Sequence, residues 1–211
     1  MAQGKNNMPV TIPHPRTVVR QEVAPKRKLF TRKHCQFLVD NGLLTEKYEL
    51  INGEIIIKMS NAPHDYVVRL INEWLVNFFK GRFVNIKNSI NVASEDNEIN
   101  APVPDASVLD PKGGYYADRK PTAEELQLVV EVSDTTLNFD LKTKAALYSR
   151  AGIKDYWVID INGRRIVVHR EPTPKGYQEI LEYAENEIVS MLLHPEASVK
   201  VSELLPPKEA M

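Results

Sequence analysis

The chain has 211 residues, 43% hydrophobic and 26% charged, a size and balance that suit one α/β domain with a short appendage. No run of eighteen apolar residues occurs and the opening MAQGKNNMPV lacks the apolar stretch of a secretory signal, so a soluble cytoplasmic protein is expected. One cysteine, Cys35, excludes an intrachain disulfide and a cysteine metal cluster, and a net charge of -1 excludes the strongly basic balance of many dedicated nucleic-acid binders. Charge is nonetheless uneven. Residues 1–34 carry eight Lys and Arg against the single acid Glu22, a local net of +7, and the other 177 residues carry -8. Such a segment is either an arm that neutralises phosphates or a solvated tail.

Residues 1–28 hold Pro9, Pro13, Pro15 and Pro25 without a sustained apolar period and read as an extended arm. The domain is expected over 29–205, followed by a tail over 206–211. Thr31 is a candidate N-cap for a short helix through Leu38 that Asn41-Gly42 closes. Tyr48 to Ile57 is a β-hairpin signature, because Asn52-Gly53 suits the positive φ angles of a type I′ turn. From His64 to Phe79 apolar residues recur at steps of three and four, the mark of a helix with one buried face. Strands are expected over Phe83 to Val92, Ala106 to Leu109 and Gln127 to Ser133. A helix over Asp140 to Ala151 ends at Gly152. Tyr156 to Ile159 and Arg165 to Val168 form a second hairpin through Asn162-Gly163, and a last strand lies near Tyr177 to Leu181. Val199 to Leu205 reads as a short helix or strand.

Three residues stand out chemically. Glu131 sits inside Leu128-Val129-Val130-Glu131-Val132, a strand apolar enough to be covered on both faces. A carboxylate there is costly unless it pairs with a base or holds a cation. Lys144 falls in the helical stripe of Leu141, Leu147, Tyr148 and Ala151 that should face the sheet, whereas Lys142 falls outside it. Its ammonium either escapes to water along the stem or meets Glu131, which comes from the preceding strand. Asp105 follows Pro104 at the start of a strand, where an Asp is also a common turn residue. Two carboxylates on adjacent strands with a nearby lysine suit phosphodiester hydrolysis. Hard oxygen ligands hold Mg2+ or Mn2+, and the lysine positions water or offsets developing charge. His64, at the start of the long helix, is a candidate for phosphate binding or proton transfer, or a plain N-terminal polar residue. Ser133 shares a strand face with Glu131 and is a candidate hydrogen-bond partner there. Asp160, before Asn162-Gly163, is more simply a turn former.

The blocks Tyr48 to Glu54, Pro104-Asp105, Val130 to Thr136, Asp140 to Tyr148 and Ala151 to Asp160 resemble the Uma-two family. That family consists of restriction-endonuclease-like proteins with many copies in cyanobacterial genomes, placed in the PD-(D/E)xK nuclease superfamily. The resemblance spans roughly residues 30 to 185 and implies a restriction-endonuclease-like α/β fold, a mixed central sheet flanked by helices, with an N-terminal hairpin. It also implies that Asp105 is the acid of the PD element and Glu131 the acid of the ExK element. The chain departs from the superfamily pattern at Ser133, where the lysine would stand. The resemblance implies that the lysine has migrated to the next helix, where Lys144 lies, and that an early glutamate, Glu49 or Glu54, completes the metal site. The function expected is a Mg2+-dependent endodeoxyribonuclease, acting on DNA and, since a duplex offers two strands, as a homodimer. The rival is a nucleic-acid-binding or assembly module that keeps the fold without the reaction.

Overall fold

The computed structural model describes residues 27–114 and 116–208. Most of the expected arm, 1–26, lies outside the described residues, as do the last three residues of the expected tail. Helix α1, Arg32–Asp40, opens on a reciprocal cap: the Thr31 side chain accepts from His34 N, and His34 Nδ1 accepts from Thr31 N. Strands β1, Tyr48–Ile51, and β2, Glu54–Ile57, pair antiparallel about Asn52 and Gly53, with φ of 50° and 76° as the type I′ turn requires. Helix α2, Ala62–Phe78, begins two residues ahead of the expected His64 because the Asn61 side chain caps it.

Strand β3 is only Val84–Ile86, so the expected strand over Phe83 to Val92 is largely loop. Lys87 takes a φ of 51°, which ends the extended run. Ile90 and Val92 are still buried, because the loop packs inward while the Arg32 guanidinium donates to Ile90 O, Asn91, Asn97 and Asn100 O. Apolar residues in a tethered loop thus imitate a strand. Strands β4, Ala106–Leu109, and β5, Leu126–Ser133, follow as expected. The next helix is composite: a π-helical Phe139–Lys144 runs into α3, Ala145–Arg150. Strands β6, Asp155–Asp160, β7, Arg165–Thr173, and β8, Gly176–Ala184, complete the main sheet. The last two extend further than the apolar pattern indicates, since their outer halves alternate with exposed polar residues. Val199 to Leu205 resolves into β10, Ser198–Lys200, and a short 3-10 turn; β10 pairs with β9, Ile188–Ser190, which the sequence pattern does not reveal.

The sheet order is β3-β4-β5-β6-β7-β8, antiparallel except for β5 and β6, which run parallel with the helical segment as their crossover. The fold is therefore a mixed sheet flanked by helices, as expected. On one face Val130, Val132, Trp157 and Ile159 meet Val67, Ile71 and Leu75 of α2, and Trp74 stacks on Trp157 at 5.6 Å. On the other, Val129, Tyr156, Val158 and Val167 meet Leu147 and Tyr148 of α3 and Ile51 of the hairpin. Each such side chain contributes about 1.5–3 kcal/mol on burial. Strand alternation puts Glu131 on this second face, between α3 and the hairpin. Among the described residues no helix is long and apolar enough to cross a membrane.

Candidate active site

Three segments converge on Glu131. The hairpin is held against the chain before β4 by a bridge between Leu50 and Ala101, and this sets Glu49 beside the Val103 N–H, which donates to its Oε2 at 3.2 Å. At the end of β5, Ser133 Oγ and Thr136 Oγ1 each donate to Asp140 Oδ2 at 2.6 Å, fixing where the helix begins. The wide π turn then carries Lys144 back over the sheet, i,i+4 from Asp140 and from Tyr148.

Lys144 Nζ stands 2.9 Å from Glu131 Oε2, 3.0 Å from Glu49 Oε1 and 3.7 Å from Asp140 Oδ1, and the residue is 1% exposed. The ammonium does not escape to water. Tyr148 OH donates to Glu131 Oε1 at 2.8 Å, so both oxygens of that carboxylate are engaged. Asp105 Oδ2 accepts from Val132 N at 2.9 Å, which ties it to the strand carrying Glu131, and meets His64 Nε2 at 3.3 Å. Its Oδ1 is buried and has no hydrogen-bond partner. Lys58, just past β2, reaches the same cluster at 3.9 Å from Glu131 Oε2 and 4.0 Å from Glu49 Oε1.

The electrostatics follow from the charge count. Glu49, Asp105, Glu131 and Asp140 are four carboxylates against the ammoniums of Lys58 and Lys144, a formal excess of two negative charges in a buried place. Burial pushes the Glu131 carboxyl well above its ordinary value; Lys144 and Lys58 pull it down, and Asp105 and Asp140 push it further up. Burial also opposes the charge on Lys144, but Glu131, Glu49 and Asp140 outweigh it and hold the ammonium protonated. For Asp105 burial again acts upward, yet the His64 hydrogen bond, Lys58 and the Val132 N–H together bring its carboxyl down to about 2.

Of the residues singled out in the sequence, the structure brings together Glu131, Lys144, Asp105, Glu49 and His64. It leaves Glu54 out: its side chain is 61% exposed on the far side of the turn, 3.6 Å from Arg27. Ser133 is buried on the expected face but serves Asp140, not Glu131. Ser133→Ala should therefore cost about 1 kcal/mol in urea unfolding, because Thr136 still holds Asp140, and should leave the Glu131 contacts intact. A loss above about 3 kcal/mol would place Ser133 in the cluster proper. Asp160 is the turn former expected, accepting from Gly163 N at 2.8 Å.

Asp140, Tyr148 and Lys58 were missed as site residues. Asp140, Lys144 and Tyr148 recur every four residues, so helical spacing could have found the first two polar neighbours of Lys144. No sequence signal points to Lys58.

The donor set suits a hard divalent cation. It offers carboxylate oxygens only, an unpartnered Asp105 Oδ1, and an excess charge that one such ion would neutralise. As they stand, however, no three His, Cys, Asp or Glu side chains among the described residues are gathered closely enough to hold a metal ion.

A solved structure from Anabaena variabilis, described as a putative nuclease, matches with a TM-score of 0.59 at 17% identity, over 79% of this chain and 96% of that one. At that identity the likeness shows a shared fold. No curated protein matches the chain. The family model of Uma2, described as "Putative restriction endonuclease", matches residues 43–202, well over half of the sequence and all of the cluster from Glu49 to Tyr148. The chain belongs to the Uma2 family of restriction-endonuclease-like proteins.

Proposed function

We propose that the protein is a Mg2+- or Mn2+-dependent endonuclease that hydrolyses DNA phosphodiester bonds, with Asp105, Glu131 and Glu49 as the ion's ligands. The observation that carries this reading is the meeting of Glu49, Glu131 and Asp140, buried carboxylates from separate segments, around buried Lys144, with Asp105 tied to the strand of Glu131 through Val132 N. Folding alone gives little reason for such a cluster, since a buried ionic group is often no more stabilising than apolar side chains of equal volume. When bound, the ion supplies Lewis acidity toward the phosphoryl oxygen and lowers the pKa of water. The chain's own residues orient and balance. Lys144 fixes the Glu49 and Glu131 carboxylates, Tyr148 holds the second oxygen of Glu131, and His64 with Val132 N steers Asp105. The reaction joins a water oxygen to phosphorus and breaks one ester bond. A homodimer, offering one such site to each strand of a duplex, goes with this reading.

The test is nicking of supercoiled plasmid by the purified full chain. Cleavage is expected with added Mg2+ or Mn2+, absent in EDTA, and reduced about a thousandfold or more in Glu131→Ala. Equal cleavage by both proteins would exclude the site. DNA binding without cleavage by the wild type would favour the binding-module alternative.

The basic arm contributes attraction under the same proposal. Deleting residues 1–28 should weaken DNA binding and lower the slope of log affinity against log salt by roughly 3 to 5 units. A deletion that leaves the slope unchanged would show that the arm does not meet phosphates.

A further inference from the structure

Lys58 has no role so far, yet its ammonium stands where the carboxylates converge. It is 3.9 Å from Glu131 Oε2 and 4.0 Å from Glu49 Oε1, and its charge also reaches Asp105. These contacts are about 1 Å longer than those of Lys144, beyond the range of charge-assisted hydrogen bonds. Its ammonium donates to the carbonyl of Val103 at 3.3 Å. Lys144 projects from a helix and is sealed; Lys58 lies on the link between β2 and α2, with a side chain 24% exposed. Its backbone is tied by Lys58 N donating to Lys47 O at 2.8 Å, a bond that a withdrawal of the side chain would leave in place.

Two of the three carboxylates assigned to the metal ion, Glu131 and Glu49, lie within 4.0 Å of this ammonium, and its charge also acts on the third, Asp105. A divalent cation held by all of them would sit within a few ångströms of it, and two cations at that separation repel. The charge count agrees in direction: without Lys58 the four carboxylates exceed Lys144 by three, and a divalent ion in its place cuts that excess to one where the ammonium leaves two. Resting on the metal-dependent reading above, we propose that Lys58 is a displaceable internal counter-cation, and that a divalent ion binds Glu49, Asp105 and Glu131 only as the Lys58 ammonium withdraws. Lys58 thereby weakens metal affinity and balances part of the carboxylates' charge in the metal-free protein.

The experiment is calorimetric titration of the full chain with MnCl2, using wild type, Lys58→Met, Lys58→Arg and Glu131→Gln, each checked for a cooperative thermal transition. Lys58→Met removes the competing charge at similar length and should bind Mn2+ about tenfold more tightly or better, about 1.4 kcal/mol. Lys58→Arg keeps the charge and should stay within about threefold of wild type, and Glu131→Gln should lose most of the affinity. Equal or weaker binding by Lys58→Met, with Glu131→Gln still defective, overturns the counter-cation while leaving the metal site standing. No Mn2+ binding by either wild type or folded Lys58→Met removes the metal-dependent reading itself, and this proposal with it.

Discussion

Lys144→Ala is expected to destabilise the protein by about 3–5 kcal/mol, the usual cost of stripping the partner from buried charges, and to abolish cleavage. The ammonium it removes is the short-range partner of both Glu49 and Glu131, at 3.0 and 2.9 Å, and all three side chains are buried. For a chain of this size the loss corresponds to a fall in melting temperature of roughly 6–20 °C. A purely structural lysine and a member of a metal-binding cluster can be separated by adding Mn2+. With the carboxylates left unbalanced, the ion should raise the melting temperature of Lys144→Ala by more than it raises that of the wild type. A variant that melts near wild type in EDTA would mean that Lys144 is solvated after all.

Glu131→Gln should behave in the opposite sense: inactive, yet more stable than the wild type without metal at pH 8. The folded protein holds the Glu131 proton above the ordinary 4.5, because burial outweighs the pull of Lys144 and Lys58. As pH rises past 4.5 the unfolded chain releases that proton before the folded one does, so stability falls with pH until the raised folded value is passed. Glutamine has no proton to lose and avoids this decline. The gain should be roughly 3–6 °C in thermal unfolding in EDTA, and should reverse with Mn2+ if, as proposed, the variant loses most of its affinity for the ion. Asp105 works at the other end of the scale. Its folded value of about 2 lies below the ordinary 3.8, so its contribution is present above 3.8 and is lost as pH falls through about 2. A Glu131→Gln protein that melts several degrees below wild type at pH 8 in EDTA would show that the carboxylate is a net structural asset.

The elements that position the site were legible where local chemistry dictates them. Asn52-Gly53 demands its turn, the α2 period demands a buried face, and β5 is apolar because both faces are covered. Glu131 and Lys144 were legible for the converse reason, as charges where the pattern wants apolar groups. The choice between Glu49 and Glu54 was not. Both flank the same turn and share one hairpin face, and the bridge from Leu50 to Ala101, 51 residues apart in sequence, brings the chain at Val103 against Glu49 while Glu54 stays exposed near the turn. The π turn at Phe139–Lys144 was hidden because α and π segments carry similar apolar spacing over six residues. The loop after β3 was misread as strand because Ile90 and Val92 are buried in the core while Arg32 tethers the loop at Ile90 O, Asn91 and Asn97, which local periodicity does not register. Lys58 was invisible for a like reason: an ordinary loop lysine becomes part of the cluster only through the docking of the hairpin.

The most direct check on the metal-dependent reading is anomalous diffraction from crystals of the full chain soaked in MnCl2. The account predicts a peak roughly 2.0–2.3 Å from Asp105 Oδ1, shared with Glu131 and Glu49, with Lys144 still against the carboxylates and Lys58 turned away. Full Mn2+ occupancy elsewhere, with Asp105 Oδ1 bare and Lys58 still 3.9 Å from Glu131, would contradict it.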